Sequence, residues 1–293
     1  MKDPDTIFHS YTDHRPGPGY VLACPCIEDP SLRARGITRK EDRSLFALAM
    51  ERCSRFGVEM VFLRCLETEY CGWEREPAGF LERLDTAEFS RLMDEHEREV
   101  RELVAARGPP MLMIGVDASP TCGVNATHRG KERERGRGAF FSRFSDIPAM
   151  DVADFARFRV YFAAPLFSEA ERDFNRKVAA LLSDHLFTVY LPQEFGDTRH
   201  MRHAQEHAAV FSRHIAALDA ADIIVAVVDG ADADSGTAWE MGYASASGKK
   251  VISLRTDFRS VGEHERVNLM LEQSSVVVGD LQELLRILPS PRI

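Results

Sequence analysis

Short apolar runs alternate with longer stretches of helical spacing along the chain, and the rhythm occurs twice. GYVLAC (19–24) predicts a strand ending at a cysteine, and RSLFALAMERCSRFG (43–57) has helical spacing that stops at Gly57. VEMVFLRC (58–65) predicts a second strand, again ending at a cysteine. TAEFSRLMDEHEREVRELVAARG (86–108) predicts a long amphipathic helix closed by glycine, and PMLMIGVDASPTCG (110–123) a strand followed by a tight loop with a third cysteine. Downstream, strands are predicted over FRVYFAAP (158–165), TVYLP (188–192), DIIVAVVDG (222–230) and KKVISLRT (249–256). Helices are predicted over 168–185, 203–221, 236–247 and 280–288. DIIVAVVDG is almost wholly apolar, as expected of a strand buried on both faces.

This alternation predicts an α/β fold of two doubly wound parallel-sheet domains, Rossmann-like or flavodoxin-like, with active groups at the carboxyl ends of the strands. HRGKERERGRGAFFSR (128–143) is charged, glycine-rich and without periodicity over its first ten residues, so it reads as a connector. The expected division is a cysteine-rich domain over 1–130, a linker over 131–155 and a second domain over 156–293.

Composition narrows the function classes. The 293 residues are 44% hydrophobic and 28% charged, as in soluble globular proteins, and the net charge of −9 argues against general nucleic-acid binding. No apolar run approaches a membrane span, and MKDPDTIFHS lacks the apolar core of a signal peptide, so the expected location is the cytoplasm. Structural disulfides are rare there. Yet all six cysteines, Cys24, Cys26, Cys53, Cys65, Cys71 and Cys122, fall in the first 122 residues.

DADSGTAWEMGYA (232–244) follows the most apolar strand and opens a helix, which places Glu240 in about its first turn, beside Asp232 and Asp234. Three acids at a strand end need a purpose beyond complementing the helix dipole. VYFAAPLF (160–167), the D-x-G-T-x-x-E-x-G-Y-A pattern of Asp234–Ala244 and VNLM (267–270) resemble the nucleoside 2-deoxyribosyltransferase family and its N-glycoside hydrolase relatives. The resemblance implies that Glu240 is a nucleophile attacking C1′ of a nucleoside, with Tyr161 steadying it. Asp234 would bind the sugar and help proton transfer near the base, and its charge leans towards a nucleoside rather than a nucleotide. Gly236 and Asp232 would help bind substrate, and Asn268 would enter a neighbouring subunit's site in a homodimer or higher oligomer. Where the family usually carries an aspartate that helps protonate the leaving base, eight positions before Asp222, this chain has His214. Hydrolysis, transfer and binding alone stay open on that ground. His200, His203 and His207 share a helical face, but no acid completes a metal set, so a solvated or base-contacting face is expected.

The cysteine spacings are not those of zinc knuckles. Three thiolates from three strand ends can converge on one point, and soft sulfur ligands with one open position suit a 4Fe–4S cluster. Cys24 after the first strand, C-x-E-x-x-x-x-G at Cys65–Gly72 and D-A-S-P-T-C-G at Asp117–Gly123 resemble the thiouracil desulfidase family. This chain has Leu66 where that family often has proline, and Thr121 where it has serine. The resemblance implies a three-cysteine cluster on Cys24, Cys65 and Cys122, sulfur removal from a thiolated base, and acid–base work by Glu67 with Ser119 close by. Cys26 and Cys71 are candidate substitutes as ligands, and Cys53, mid-helix, is expected in the core.

The combined expectation is a bifunctional enzyme on modified nucleobases or nucleosides. The rival expectation is a sensor that binds nucleoside derivatives without turnover, around a structural or redox cluster.

Overall fold

The computed structural model describes residues 7–9, 11, 19–195, 203–259, 262 and 265–290. The chain divides into two compact units.

One unit spans residues 15–156. Its elements are β1 (Tyr20–Ala23), α1 (Lys40–Phe56), β2 (Glu59–Phe62), α2 (Leu66–Cys71), α3 (Ala87–Arg107), β3 (Met113–Gly115), β4 (Ala126–His128), β5 (Arg133–Arg135), β6 (Ala149–Asp151) and α4 (Val152–Phe155). The helices begin and end where local chemistry dictates. Thr86 Oγ1 accepts the Phe89 N–H at the start of α3 (3.1 Å), and Gly57 closes α1 with φ +66°, a conformation that favours glycine. The parallel sheet has the order β2-β1-β3-β6. Its direction of winding reverses between β1 and β3, the place where open α/β sheets leave a crevice at their carboxyl edge.

The connector expected over 131–155 is corrected here. Residues 126–135 form an antiparallel hairpin, β4–β5, and 149–151 add strand β6 to the sheet. Phe140, Phe141 and Phe144 are buried. The intervening backbone binds the 117–123 loop, with Gly138 N–H donating to Gly123 O, Ala139 N–H to Pro120 O (both 2.9 Å), and Phe140 and Phe141 N–H to Thr121 O (both 3.1 Å). A Cβ on Gly138 would lie 2.4 Å from the carbonyl carbon of Thr121, so glycine permits this close approach. The charges that suggest a linker stand on the exposed β5, while the ordering comes from backbone bonds and phenylalanines.

The other unit joins residues 157–290 with the N-terminal segment. It contains β7 (Arg159–Ala163), α5 (Glu169–Asp184), β8 (Thr188–Tyr190), α6 (Ala204–Ala220), β9 (Ile223–Val227), α7 (Ser235–Ala246), β10 (Lys250–Leu254), α8 (Leu269–Gln273), β11 (Val276–Val278) and α9 (Leu281–Ile287). The Ser168–Glu171 pair caps α5 reciprocally, side chain to backbone in both directions. All five strands are parallel, in the order β11-β10-β9-β7-β8. Counted from the first strand of this unit the order is 2-1-3-4-5, with the reversal between β7 and β9. β9 is buried along its length.

The N-terminal residues do not belong to the cysteine-rich unit, contrary to the expected 1–130 boundary. Ile7 and Phe8 are buried in the core formed with Tyr161, Tyr190, Leu218 and Met241. His9 pairs antiparallel with Val189 through two backbone hydrogen bonds (3.2 and 2.8 Å). The 15–156 unit is therefore, in chain order, an insertion into the other. No helix among the described residues is long and apolar enough to cross a membrane.

Candidate functional site

The crevice of the 15–156 unit holds a cavity of about 830 Å³ lined by Cys24, Cys26, Cys65, Cys71 and Cys122, with Glu67 and Ser119 among them. Cys24 directly follows β1, and its N–H is bound to Ile114 O of β3 (3.0 Å). Cys65 caps the amino end of α2, and Cys122 stands in the loop after β3. Asp117 shapes that loop. Its Oδ1 accepts the N–H groups of Val124 (3.0 Å) and Asn125 (2.8 Å), while its own N–H is held by buried Asp151 (2.7 Å). Ala118 lies in the left-handed region at φ +70°, a strained conformation for a residue with a Cβ, and the surrounding bonds hold it there. Cys53 is in the core, as expected.

Glu67 is fixed from two sides. Its Oε1 accepts the hydroxyls of Thr121 (2.6 Å) and Ser119 (3.0 Å), and its Oε2 accepts Arg75 Nη2 (3.3 Å). Arg75 is itself buried, and its Nη1 donates to Thr68 Oγ1 (2.9 Å), a hydroxyl 3.0 Å from Cys65 Sγ. On the other flank, Thr121 Oγ1 lies 3.4 Å from Cys122 Sγ. One carboxylate thus sits between groups that touch two of the three predicted ligands. Arg75, Thr68 and Thr121 are additions to the set read from sequence. The Thr121 hydroxyl is one of the two that hold Glu67 Oε1.

Burial pushes the Cys24 thiol well up and Cys65 up to about 11. Among the described residues no three His, Cys, Asp or Glu side chains converge tightly enough to hold a single metal ion. A cuboidal cluster spreads its ligands around a larger body, and thiols from separate loops lining one cavity fit such a group. His203 and His207 are exposed on α6, and His200 lies outside the described residues.

In the 157–290 unit, the face of the sheet covered by α6 and α7 carries the second constellation. Asp234 caps α7, its Oδ2 accepting the N–H groups of Gly236 (3.0 Å) and Thr237 (3.1 Å). Glu240 is the sixth residue of α7, so it stands in the second turn rather than the first. That turn aims it at the sheet, where Tyr161 of β7 donates its hydroxyl to Glu240 Oε1. Burial, opposed by the Tyr161 bond and reinforced by the charge of Asp234, raises Glu240 to about 7. Asp232 is exposed and accepts the adjacent Ala233 N–H (3.0 Å); of the two neighbouring aspartates, Asp234 acts on Glu240.

Tyr161 and Tyr190 are register partners on β7 and β8, and their rings stack (centroids 5.2 Å apart). Phe195 stacks on the far face of this pair (4.5 Å from Tyr190), and His9 stacks on Phe195 (5.5 Å). His214 approaches from α6 on the stripe that also buries Ala217 and Leu218, and its Nδ1 lies 2.9 Å from Tyr190 Oη. Burial and the neighbouring Arg213 charge lower its pKa, which favours the neutral ring. Asn268 is exposed and caps α8 through Met270 N–H (3.0 Å).

Residues 160–278 match the family model described as nucleoside 2-deoxyribosyltransferase, so this region carries that domain. Among solved structures, the chain is similar to a conserved protein from Enterococcus faecalis V583, at 28% identity over 44% of this chain and 95% of that one, with a TM-score of 0.38. It is also similar to a 2-deoxyribosyltransferase from the psychrotolerant bacterium Bacillus psychrosaccharolyticus (24% identity, 46% and 99% covered, TM-score 0.39). A third is the Clostridium botulinum CMP N-glycosidase (21% identity, 44% and 94% covered, TM-score 0.29). No curated protein matches the chain.

Proposed function

We propose, from the premise that residues 160–278 carry a nucleoside 2-deoxyribosyltransferase domain, that this unit cleaves the N-glycosidic bond of a nucleoside through Glu240. The observation that carries the proposal is the pairing of a half-buried carboxylate with the Tyr161 hydroxyl beside the reversal of winding between β7 and β9. A Glu240 oxygen bonds to C1′ as the C1′–N bond breaks and its electron pair leaves with the base. A second base or water then takes C1′ and releases the carboxylate. Tyr161 orients Glu240 by its hydrogen bond, Asp234 and Gly236 hold the amino end of α7 in place for the sugar, and Asp232 lies at the rim. Asn268 is assigned to the site of a second copy in a homodimer or higher oligomer.

For the 15–156 unit the proposal is a 4Fe–4S cluster on Cys24, Cys65 and Cys122, with Cys26 and Cys71 as nearby alternatives. When bound, such a group supplies an iron position that attracts the sulfur of a thiolated base. The protein residues do the rest. The cavity admits a base, Ser119 and Thr121 fix Glu67 Oε1, and Glu67 takes the proton of the water whose oxygen replaces sulfur on the base carbon. Together the units would serve salvage or detoxification of thiolated nucleosides in the cytoplasm.

The test is purification without oxygen, followed by incubation with 2-thiouracil, 4-thiouridine and unmodified 2′-deoxynucleosides. Sulfide release and free base are expected. A protein that releases no base from any nucleoside lacks the glycosyl activity, and one that binds no iron and releases no sulfide lacks the other. Retained ligand binding without either product would identify a sensor.

A further inference from the structure

We infer that Tyr190 is a positioning residue for the glycosyl site, fixing His214 as the tautomer that carries its hydrogen on Nε2 and presents that N–H to the departing base. The inference rests on the proposed cleavage reaction for its functional meaning, but its structural half stands alone.

The Tyr190 hydroxyl has one hydrogen, and among the described residues its hydrogen-bond partner is His214 Nδ1, at 2.9 Å. A buried hydroxyl hydrogen left without an acceptor carries the desolvation penalty of an unsatisfied donor. If Nδ1 carried the hydrogen, it would donate to Tyr190 Oη and leave the tyrosine hydrogen without an acceptor. Donation from Tyr190 to Nδ1 satisfies both groups and places the imidazole hydrogen on Nε2. Burial favours the same neutral state, since it raises Tyr190 and lowers His214 away from their charged forms.

The geometry ties this pair to the nucleophile. Tyr190 stacks on Tyr161, the residue that donates to Glu240, and Phe195 closes its other face at an interplanar angle of 3°. The His214 ring stands at 83° to Tyr190, held edge to face. Glu240 from α7 and His214 from α6 therefore flank the same two rings. As the glycosidic bond breaks, negative charge grows on the departing base. A neutral imidazole N–H is a suitable donor to that charge and transfers no proton in giving it. This would fill the place for which an aspartate is expected in the family pattern, with a different chemistry: a fixed neutral donor in place of an acid.

Long-range proton–nitrogen NMR on the full chain with labelled histidine tests the structural half directly. His214, identified by its loss in H214Q, is expected as the Nε2–H tautomer in the wild type and as a mixture in Y190F. Y190F removes a single oxygen and leaves the ring column in place. With 2′-deoxyuridine as probe, Y190F is expected to lower kcat about tenfold with KM within about twofold, the pattern of an interaction made chiefly in the transition state. H214Q, whose amide can place an N–H near the Nε2 position, should retain more kcat than H214N. An Nδ1–H tautomer in the wild type, an unchanged tautomer in Y190F, or H214N outperforming H214Q overturns the inference. A wild type that cleaves no nucleoside, yet shows an Nε2–H tautomer lost in Y190F, overturns the glycosyl proposal and leaves the role of Tyr190 in fixing the ring supported.

Discussion

The two units each carry a glutamate on a helix that follows a strand, Glu67 after the second strand of its sheet and Glu240 after the third, and treat it in opposite ways. Each has a parallel sheet whose winding reverses beside its first strand, and each gathers its polar groups at that reversal. Glu67 receives two hydroxyls and a guanidinium. Glu240 receives one phenol, beside a like charge and against burial. The first arrangement holds a carboxylate in one pose by hydrogen bonds. The second keeps a carboxylate short of solvation, which makes it reactive when ionised. A sheet thus supplies a location, and the side chains around it decide whether an acid is anchored or poised.

The sharpest way to break this contrast is to remove the poised acid. E240A should lower nucleoside cleavage by about a thousandfold or more while a nucleoside still binds, as measured by product chromatography and calorimetry. An equally complete loss is expected in the other unit from C24S, C65S or C122S, read as iron and sulfide per chain after anaerobic purification, with nucleoside cleavage preserved. C53S should keep the iron.

A smaller effect should come from the floor of the Cys122 loop. Gly138→Ala places a methyl group 2.4 Å from the Thr121 carbonyl carbon, and denaturant unfolding of the full chain should report a loss of roughly 2 kcal/mol or more in the transition that contains this unit. The most delicate test concerns Glu240 ionisation. It is raised from 4.5 to about 7 in the folded protein, so between those values the folded state binds a proton that the unfolded state does not, and stability falls as pH rises through that window. E240Q should therefore melt higher than the wild type at pH 8 and nearly alike at pH 4.5. In the wild type, kcat/KM should climb through a pH of about 7 as the nucleophile ionises.

The strands and helices that place both constellations were legible because their apolar spacing is regular, as in β9 and α3. The cysteines were legible as strand-end residues for the same reason. The 131–155 segment was not, because its order comes from Gly138, Ala139 and Phe140 binding the 117–123 loop, and backbone bonds between distant segments leave no periodicity. Arg75 and Thr121 were hidden likewise: each meets Glu67 only in the folded chain, Thr121 from 54 residues away, and no apolar periodicity marks such a polar contact. Tyr190 was visible as a strand aromatic, but its value lies in His214, which α6 delivers from 24 residues away. Glu240 is the sixth residue of α7, one place further in than a helix over 236–247 makes it, since the Asp234 cap sets the start at Ser235.

The insertion of one unit into the other has a consequence for biosynthesis. Phe8 leaves the ribosome early, but Tyr190, against which it packs, follows only after the whole 15–156 unit has been made. At ordinary translation rates that interval is on the order of ten seconds or more. Throughout it the nascent amino-terminal arm carries an unmatched apolar sequence, while the unit behind it can already complete its own sheet. Phe8 has nothing to pack against until Tyr190 is made, so a change at Ile7 or Phe8 would be felt by the unit encoded more than 140 residues downstream.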